Sequence, residues 1–505
     1  MKELPGLQSL AMATLTPASN MGLASGYLLR VENSAPGKKV ATVFELAKTE
    51  IIHFVGIGGI GMSGLALIMK RMGFNVQGSD VLASKNIERL KRDKIKITIR
   101  HTKKNIEKAT IVVISSAIKN NNPELIEAKL KQLPIYKRGE MLANIVSLTK
   151  NIVVTGSHGK TTTTSLLASI FSKTKLDPTI INGGVLNAIK NSAKLGKSDW
   201  CILEADESDG SFIHVPPTYS IVTNIDREHM DFYNSMKDLK ELFIKFINKV
   251  PSFGKSFICI DDKNNKDLLS KLKMKNYSTY GTDNKSNFYI KNIKQEKEYS
   301  QYDLAINLPG KKNLTIRKIK LPLLGIHNIR NSTAAVAVAL TIGISQNIIK
   351  KGLKEFKGVQ RRFNKIFTHR ETNFYDDYAH HPTEIREVLN GVRAAYKKEE
   401  VICIFQPHRI SRLKDLKKEF SLSFKKADVV ILCPIYTAGE KIKLGFKYNN
   451  FAKDIIKNSK VKLFMVEDQY QLAKFIKNTI FGKKIVVGMG AGTISTWMRQ
   501  LPELI

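Results

Sequence analysis

Short apolar runs recur along the chain and are followed by segments with helical spacing. "IIHFVG", "TIVVIS", "NIVVTG", "WCILE", "YSIVTN", "VICIF", "VVILCP" and "KIVVGMG" are rich in Val and Ile and end in polar or glycine-rich turns. Runs this short and this β-branched predict buried strands, and the intervening apolar spacing predicts helices. Alternation of the two predicts α/β architecture with parallel sheets. The runs fall into three groups, which predict three domains over 48–150, 151–358 and 359–505. Before them, "LQSLAMATLTPASNMGLASGYLLRVENSAPGKK" is small, polar and turn-rich. Residues 1–47 are therefore read as a disordered leader without the apolar core of a secretory signal.

Composition changes this picture little. The 505 residues are 43% hydrophobic and 25% charged, as in ordinary globular proteins. No apolar run reaches the length of about 18 residues that a membrane span needs. Cys201, Cys259, Cys403 and Cys433 lack CxxC spacing, so neither a disulfide framework nor a zinc site is expected. The formal charge of +36 raises the question of nucleic acid. The lysines are scattered, as in "KNIKQEKEYSQYD" and "LKDLKKEF", through what read as surface loops and helix faces. A groove for nucleic acid wants a basic block with interleaved aromatics. Neither a nucleic-acid nor a membrane partner is expected.

Candidate chemistry stands at the ends of the strands. In "FVGIGGIGMSG", Gly56, Gly58 and Gly61 match G-x-G-x-x-G, and Asp80 follows Gly61 by 19 residues. Glycines let backbone approach a pyrophosphate at a helix start, and an acid can hold a ribose. Alone, this pattern suits NAD or another nucleotide diphosphate. Ser115 and Ser116 end a further strand and offer hydroxyls to a phosphate or sugar.

The second group opens with "NIVVTGSHGKTTT". Val154 stands where a strict phosphate-loop pattern has glycine, but Gly156-Ser157-His158-Gly159-Lys160-Thr161 keeps the strand–loop–helix context. Backbone N–H groups would wrap phosphate, Lys160 would supply charge, and the Thr161 hydroxyl could hold Mg²⁺. "WCILEADESDGSF" and "YSIVTNIDREHMDFY" place Glu204, Asp206, Glu207 and Asp209, then Asp226, Glu228, His229 and Asp231, after two further strands. In a parallel sheet these loops share the edge of the phosphate loop. Most of the acids read as solvated turn residues; Glu204, first polar residue past its strand, reads as a magnesium-side acid. In the third group His380, His381, His408, Arg409 and Arg412 follow strands, and the arginines suit a carboxylate or phosphate.

Taken in order, "FVGIGGIGMSGLA", "VTGSHGKTTTTSLLA", "EADESDGSF", "TNIDREHMDFY", "LLGIHNIRNSTAA", "GVQRRF", "DDYAHHPTE", "FQPHRISR" and "GAGTI" make the sequence resemble the Mur ligase family from about residue 48 onward. Ser157 replaces the family's usual threonine and keeps a hydroxyl, and Glu228 stands where aspartate is usual. The resemblance implies a Rossmann-like N-terminal domain, a central P-loop ATPase-like domain and a Rossmann-like C-terminal domain. It implies that the first binds the UDP of a sugar nucleotide, not NAD, through Gly58, Gly59, Ile60, Gly61, Met62, Ser63, Asp80, Ser115 and Ser116. ATP would lie on Gly156, Ser157, His158, Gly159, Lys160, Thr161 and Thr162. Asn328 and Asn331 would reach the adenine, and Arg362 and Asp377 would close over the nucleotide. Mg²⁺ would sit on Thr161, Glu204 and His229. Tyr378, His380, His408, Arg409 and Arg412 would receive the amino acid.

The implied activity is ATP-dependent joining of L-alanine to the lactyl carboxylate of UDP-N-acetylmuramate, through an acyl phosphate, in peptidoglycan precursor synthesis. Lys160, Glu204, His229 and His380 are the implied catalytic residues, with His380 a candidate for removing the amine proton. A cytoplasmic monomer or homodimer is expected. A ligase adding a peptide to the same sugar nucleotide would share most of these blocks. A basic ATPase acting on nucleic acid would account for the charge, but not for the first glycine turn or the third domain.

Overall fold

The computed structural model describes residues 50–147, 149–230, 232–440 and 447–505. The leader and Asp231 lie outside them. The described residues form three sheets flanked by helices, as the α/β alternation predicts.

The first sheet has five parallel strands in the order 3-2-1-4-5 along the chain. Strand Ile51–Val55 is central and buried, and helix Ile60–Arg71 buries Met62 to Met69. The order reverses between Ile51–Val55 and Ile111–Ile114. At this switch point the glycine turn lies against Ser115, where a Cβ on Gly56 would stand 3.2 Å from the Ser115 Cβ.

The second sheet has ten strands. Strand Lys150–Thr155 lies between Trp200–Glu204 and Tyr219–Val222, all parallel. The loops carrying Lys160, Glu204 and His229 therefore leave one edge side by side. Helix Lys160–Phe171 packs on helix Ile326–Thr341, whose Ala334, Ala335, Ala337 and Ala339 are fully buried. Small side chains there allow the two helices close contact.

One end of this sheet corrects the sequence reading. The lysine-rich stretch read as a surface loop forms antiparallel strands Phe288–Gln295 and Ser300–Ile306, followed by Leu314–Leu321. Phe288, Ile290, Tyr302 and Leu304 alternate into the core. Exposed lysines between them mask the two-residue period that marks a half-buried strand.

The third sheet has six strands, order 1-2-6-3-4-5, with only the first pair antiparallel. Along strand Glu400–Phe405, Val401, Cys403 and Phe405 enter one core, while Ile402 and Ile404 enter the other. All four cysteines are buried and unpaired. No helix among the described residues is long and apolar enough to cross a membrane.

Candidate active site

The glycine-rich loop after strand Lys150–Thr155 owes its shape to backbone freedom and to the neighbouring loop. Gly156 and Gly159 have φ of +122° and +86°, values that favour glycine. A Cβ on Gly159 would stand 2.5 Å from Asn331 Oδ1. Ser157 Oγ accepts the Asp226 N–H at 2.8 Å, and His158 N–H donates to Asn224 Oδ1 at 2.9 Å. The hydroxyl at position 157 thus ties the loop to the next strand's end.

Lys160 Nζ donates to Gly156 O at 2.7 Å and meets Glu207 Oε2 at 2.7 Å. Burial disfavours the ammonium, but Glu207, Asp206 and Glu204 outweigh it and hold Lys160 charged. Glu207 is fully buried, and its Oε1 has no hydrogen-bond partner. That corrects its reading as a solvated turn acid. Burial pushes the Glu207 carboxyl up, and the Lys160 charge pulls it back. Asp206, Glu207 and His229 present donor atoms within 4.8 Å of one another. Burial disfavours the Asp206 carboxylate, but Lys160, Arg138 and His229 bring it down to about 2.

Glu204, expected to join His229 at a metal, accepts the Gly183 N–H at 2.8 Å through Oε2 and is not one of those three. Thr161 is buried beside Gly184, whose Cβ would come 2.7 Å from its methyl. His229 has φ +58°, a strained conformation of the kind that clusters at functional sites. Glu228 is buried against Arg412 at 3.5 Å and His229 at 3.3 Å. Burial raises its carboxyl, and the cations led by Arg412 lower it to about 2. The Arg412 contact joins the second sheet to the third.

A cavity of about 260 Å³ opens between these two sheets. His158, Gly159, Thr162, Asn328, Asn331, Arg362 and Asp377 all line it, with Tyr280, Phe363 and Leu323 among its other walls. Seven of the residues expected at the nucleotide thus share one cavity. Asn328 and Asn331 sit in the first turns of helix Ile326–Thr341, where Asn328 Nδ2 donates to Leu324 O at 2.8 Å. Asp377 is fully engaged, accepting the N–H groups of Phe363 at 2.7 Å and Ala379 at 2.8 Å. Burial, only partly offset by Arg362, pushes it up to about 6.

Beyond the cavity the third sheet gathers the expected amino-acid residues. The rings of Tyr378 and His380 lie 5.0 Å apart, and those of His380 and His408 5.8 Å apart. Arg412 Nη1 is 3.3 Å from His408 Nδ1. Burial, with the His380, Arg412 and Arg409 charges, pushes His408 down to about 3. Arg409 takes φ +66° and donates its N–H to Tyr436 O at 2.9 Å. Arg412 is more than a free anchor, since it pairs with Glu228 across the interface.

At the first sheet, Gly58 N–H donates to Asp80 Oδ2 at 2.8 Å, while Asp80 Oδ1 accepts Val81 N–H at 2.8 Å. The acid expected to hold a ribose therefore also clamps the glycine turn. Gly59 starts helix Ile60–Arg71 without a side-chain cap, which leaves early N–H groups for a ligand. Gly61 lies beside Arg138, whose side chain would stand 3.1 Å from a Cβ there. Ser63, expected at the sugar nucleotide, is tied into its own helix. It is buried, its N–H donates to Gly59 O at 2.8 Å, and its hydroxyl donates to Ile60 O at 3.0 Å. Met62 is likewise buried, so its side chain belongs to the core, whereas Ile60 is exposed. Ser115 Oγ accepts the Ala117 N–H at 3.3 Å, and Ser116 is exposed.

The sequence reading places Glu207 and Asp226 at the phosphate edge but takes them for solvated turn acids, and it passes over Glu384 and Arg138. Nothing in the order of residues separates a buried acid from a solvated one, although each stands near a strand end or a helix start.

Comparison with known proteins agrees with this arrangement. The profile of the Mur ligase family catalytic domain matches residues 51–150, that of the Mur ligase middle domain 154–339, and that of the Mur ligase glutamate ligase domain 361–492. The UDP-N-acetylmuramate–L-alanine ligase of Pelagibacter ubique is 97% identical over 91% of this chain and 99% of its own. That of Parvibaculum lavamentivorans is 41% identical over 90% and 92%. Among solved structures, the UDP-N-acetylmuramate–alanine ligase of Thermotoga maritima superposes with a TM-score of 0.76 at 27% identity, covering 90% of this chain and 98% of that one. With three matched domains in order and a near-identical relative over nine-tenths of its length, the chain belongs to the Mur ligase family.

Proposed function

We propose that this protein joins L-alanine to the lactyl carboxylate of UDP-N-acetylmuramate at the expense of ATP, as a step in peptidoglycan precursor synthesis. The observation that carries the reading is the 97% identity to the Pelagibacter ubique ligase of that activity, over nearly the whole of both chains. The geometry agrees with it.

A carboxylate does not acylate an amine, because oxide would have to leave. Phosphoryl transfer from ATP to a lactyl oxygen gives an acyl phosphate and ADP. The alanine amine then attacks the carbonyl carbon, forming the C–N bond; the tetrahedral adduct gives up the amine proton and breaks its C–O bond to phosphate, which leaves as inorganic phosphate. In this reading the domain over 48–150 holds the UDP sugar, 151–358 the ATP, and 359–505 closes over ATP and alanine.

The roles of the side chains follow from their surroundings. Lys160, kept charged by its buried acids, faces the transferring phosphoryl group. His158, Gly159, Thr162, Asn328, Asn331 and Arg362 hold the nucleotide. Arg409 and Arg412 hold the alanine carboxylate. Gly58, Gly59, Gly61 and the Ser115–Ser116 turn hold the diphosphate and sugar. Glu207 Oε1, which has no hydrogen bond and faces His229 Nε2 at 3.7 Å, and the converging Asp206 suit a hard divalent cation. Mg²⁺ would be held by these groups together with Thr161 and Glu204, and would neutralise phosphate charge. The protein is proposed to act in the cytoplasm, where both nucleotides are made, as a monomer or homodimer.

Phosphate release tests the reading. Hydrolysis of ATP is expected only with UDP-N-acetylmuramate and L-alanine together. Stimulation by DNA or RNA without the sugar nucleotide would overturn it, and a requirement for a peptide in place of alanine would redirect it.

A further inference from the structure

Helix Pro382–Ala395 begins at the interface between the second and third sheets, and its third residue is Glu384. The two oxygens of this carboxylate face different partners. Oε2 accepts the backbone N–H groups of His380 at 3.0 Å and His381 at 3.3 Å, and lies 3.2 Å from His380 Nδ1. Oε1 lies 3.4 Å from Nδ1 of His158, in the phosphate loop, and 3.9 Å from Arg362. We propose that Glu384 is a positioning residue that couples the phosphate loop to the amino-acid site, linking His158 to His380 through one carboxylate. The proposal rests on the ligase reading above and deepens it.

The coupling follows from rigidity. A carboxylate is planar, so its oxygens cannot move independently. Oε2 is fixed by the helix start it caps. Any shift of His158 relative to the third sheet must therefore strain the contact at Oε1 or turn the carboxylate, and a turn is felt at His380.

His158 is well placed to transmit such a shift. Its other nitrogen, Nε2, lies 3.1 Å from Asp226, so both ring nitrogens face carboxylates and both must donate. Burial opposes this charge, and the bonds to Asp226 and Glu384 raise His158 to about 10. At the other end, His380 Nδ1 lies 3.0 Å from Tyr378 O as well as 3.2 Å from Glu384. Two acceptors at Nδ1 make that nitrogen the donor and fix the orientation of the ring. Burial of Glu384 opposes its charge, while His380 and His158 hold its carboxyl well below the usual range.

The test is a double-mutant cycle of Glu384→Gln and His158→Gln, read as the KM for alanine. Glutamine preserves the cap at 384 and some hydrogen bonding at 158, so melting temperatures serve as the structural control. Each single variant is expected to raise the alanine KM about tenfold or more, the scale of a lost charge-assisted hydrogen bond. The double variant should be no worse than the poorer single one. Hydroxamate or borohydride trapping should still detect the acyl phosphate in Glu384→Gln. An unchanged alanine KM in His158→Gln, or effects that multiply in the double variant, would overturn the coupling. Nitrogen-15 spectra of labelled histidine give a second reading without substrate: His380 should carry its proton on Nδ1 in the unaltered protein and lose that preference in both single variants. A preference that persists in both would also overturn it. Failure of the ligase reading would look different, as unaltered protein that makes no amide.

Discussion

The Lys160 ammonium touches two backbone carbonyls and a buried carboxylate, so its position is set before any phosphate arrives. Lys160→Ala should lower kcat about a hundredfold or more, the scale of losing one preorganised charge. UDP-N-acetylmuramate binding by calorimetry should stay unchanged, because the glycine turn and Asp80 belong to another sheet. Asp80→Ala should do the reverse. Releasing the Gly58 N–H removes a charge-assisted hydrogen bond worth about 1.5–3 kcal/mol. The KM for the sugar nucleotide should rise about ten- to hundredfold, with that for ATP unmoved. Lys160 and the glycines were legible in the sequence because their chemistry tolerates few substitutes. Glu207 was not. Three acids follow strand Trp200–Glu204, and what selects the buried one is the turn through Gly210, φ +69°, with Tyr233 hydrogen-bonded to the Glu207 carbonyl.

Strands and their ends were the most legible elements, since a fully buried parallel strand is a nearly unbroken apolar run. The order of strands within each sheet was not, because pairing depends on contacts distant in sequence. The antiparallel strands Phe288–Gln295 and Ser300–Ile306 were missed for a related reason, their alternation being visible only once the buried face is known. The buried strand Thr179–Leu186 also matters beyond its own core. A Cβ on Gly183 would stand 2.6 Å from both Glu204 oxygens. The clash is with the far end of a side chain, which can move. Gly183→Ala should therefore cost no more than about 1 kcal/mol of stability in denaturant titration. It should lower kcat at least tenfold, because the Glu204 carboxylate is displaced from its Gly183 contact. A large stability loss with normal turnover would separate Glu204 from the chemistry.

The second and third sheets meet through three charge pairs, His158 with Glu384, Arg412 with Glu228 and Arg227 with Asp415, and through the Thr383 hydroxyl, which donates to Asp226. Because His158 is raised from its ordinary 6.5 to about 10, its contribution to stability is complete below about pH 6.5. It declines between those two values and is gone above about 10. The stability difference between unaltered protein and His158→Gln should therefore be largest near pH 6 and vanish above 10. Lysine titration, common to both, cancels in that difference. A gap that widened with pH would mean His158 is neutral in the fold. The residues of this interface were legible one by one, but their pairing across two sheets was not. The cavity at the same interface has walls belonging to two separately cored bodies. A nucleotide that fills it therefore acts as a removable adhesive, adding about 2.7 kcal/mol of cohesion at a hundred times its Kd. In a calorimeter, ADP should draw the unfolding of the two bodies together into a single sharper transition. A compound built for this cavity could then be recognised by the number of peaks in its melting curve, before any turnover is measured.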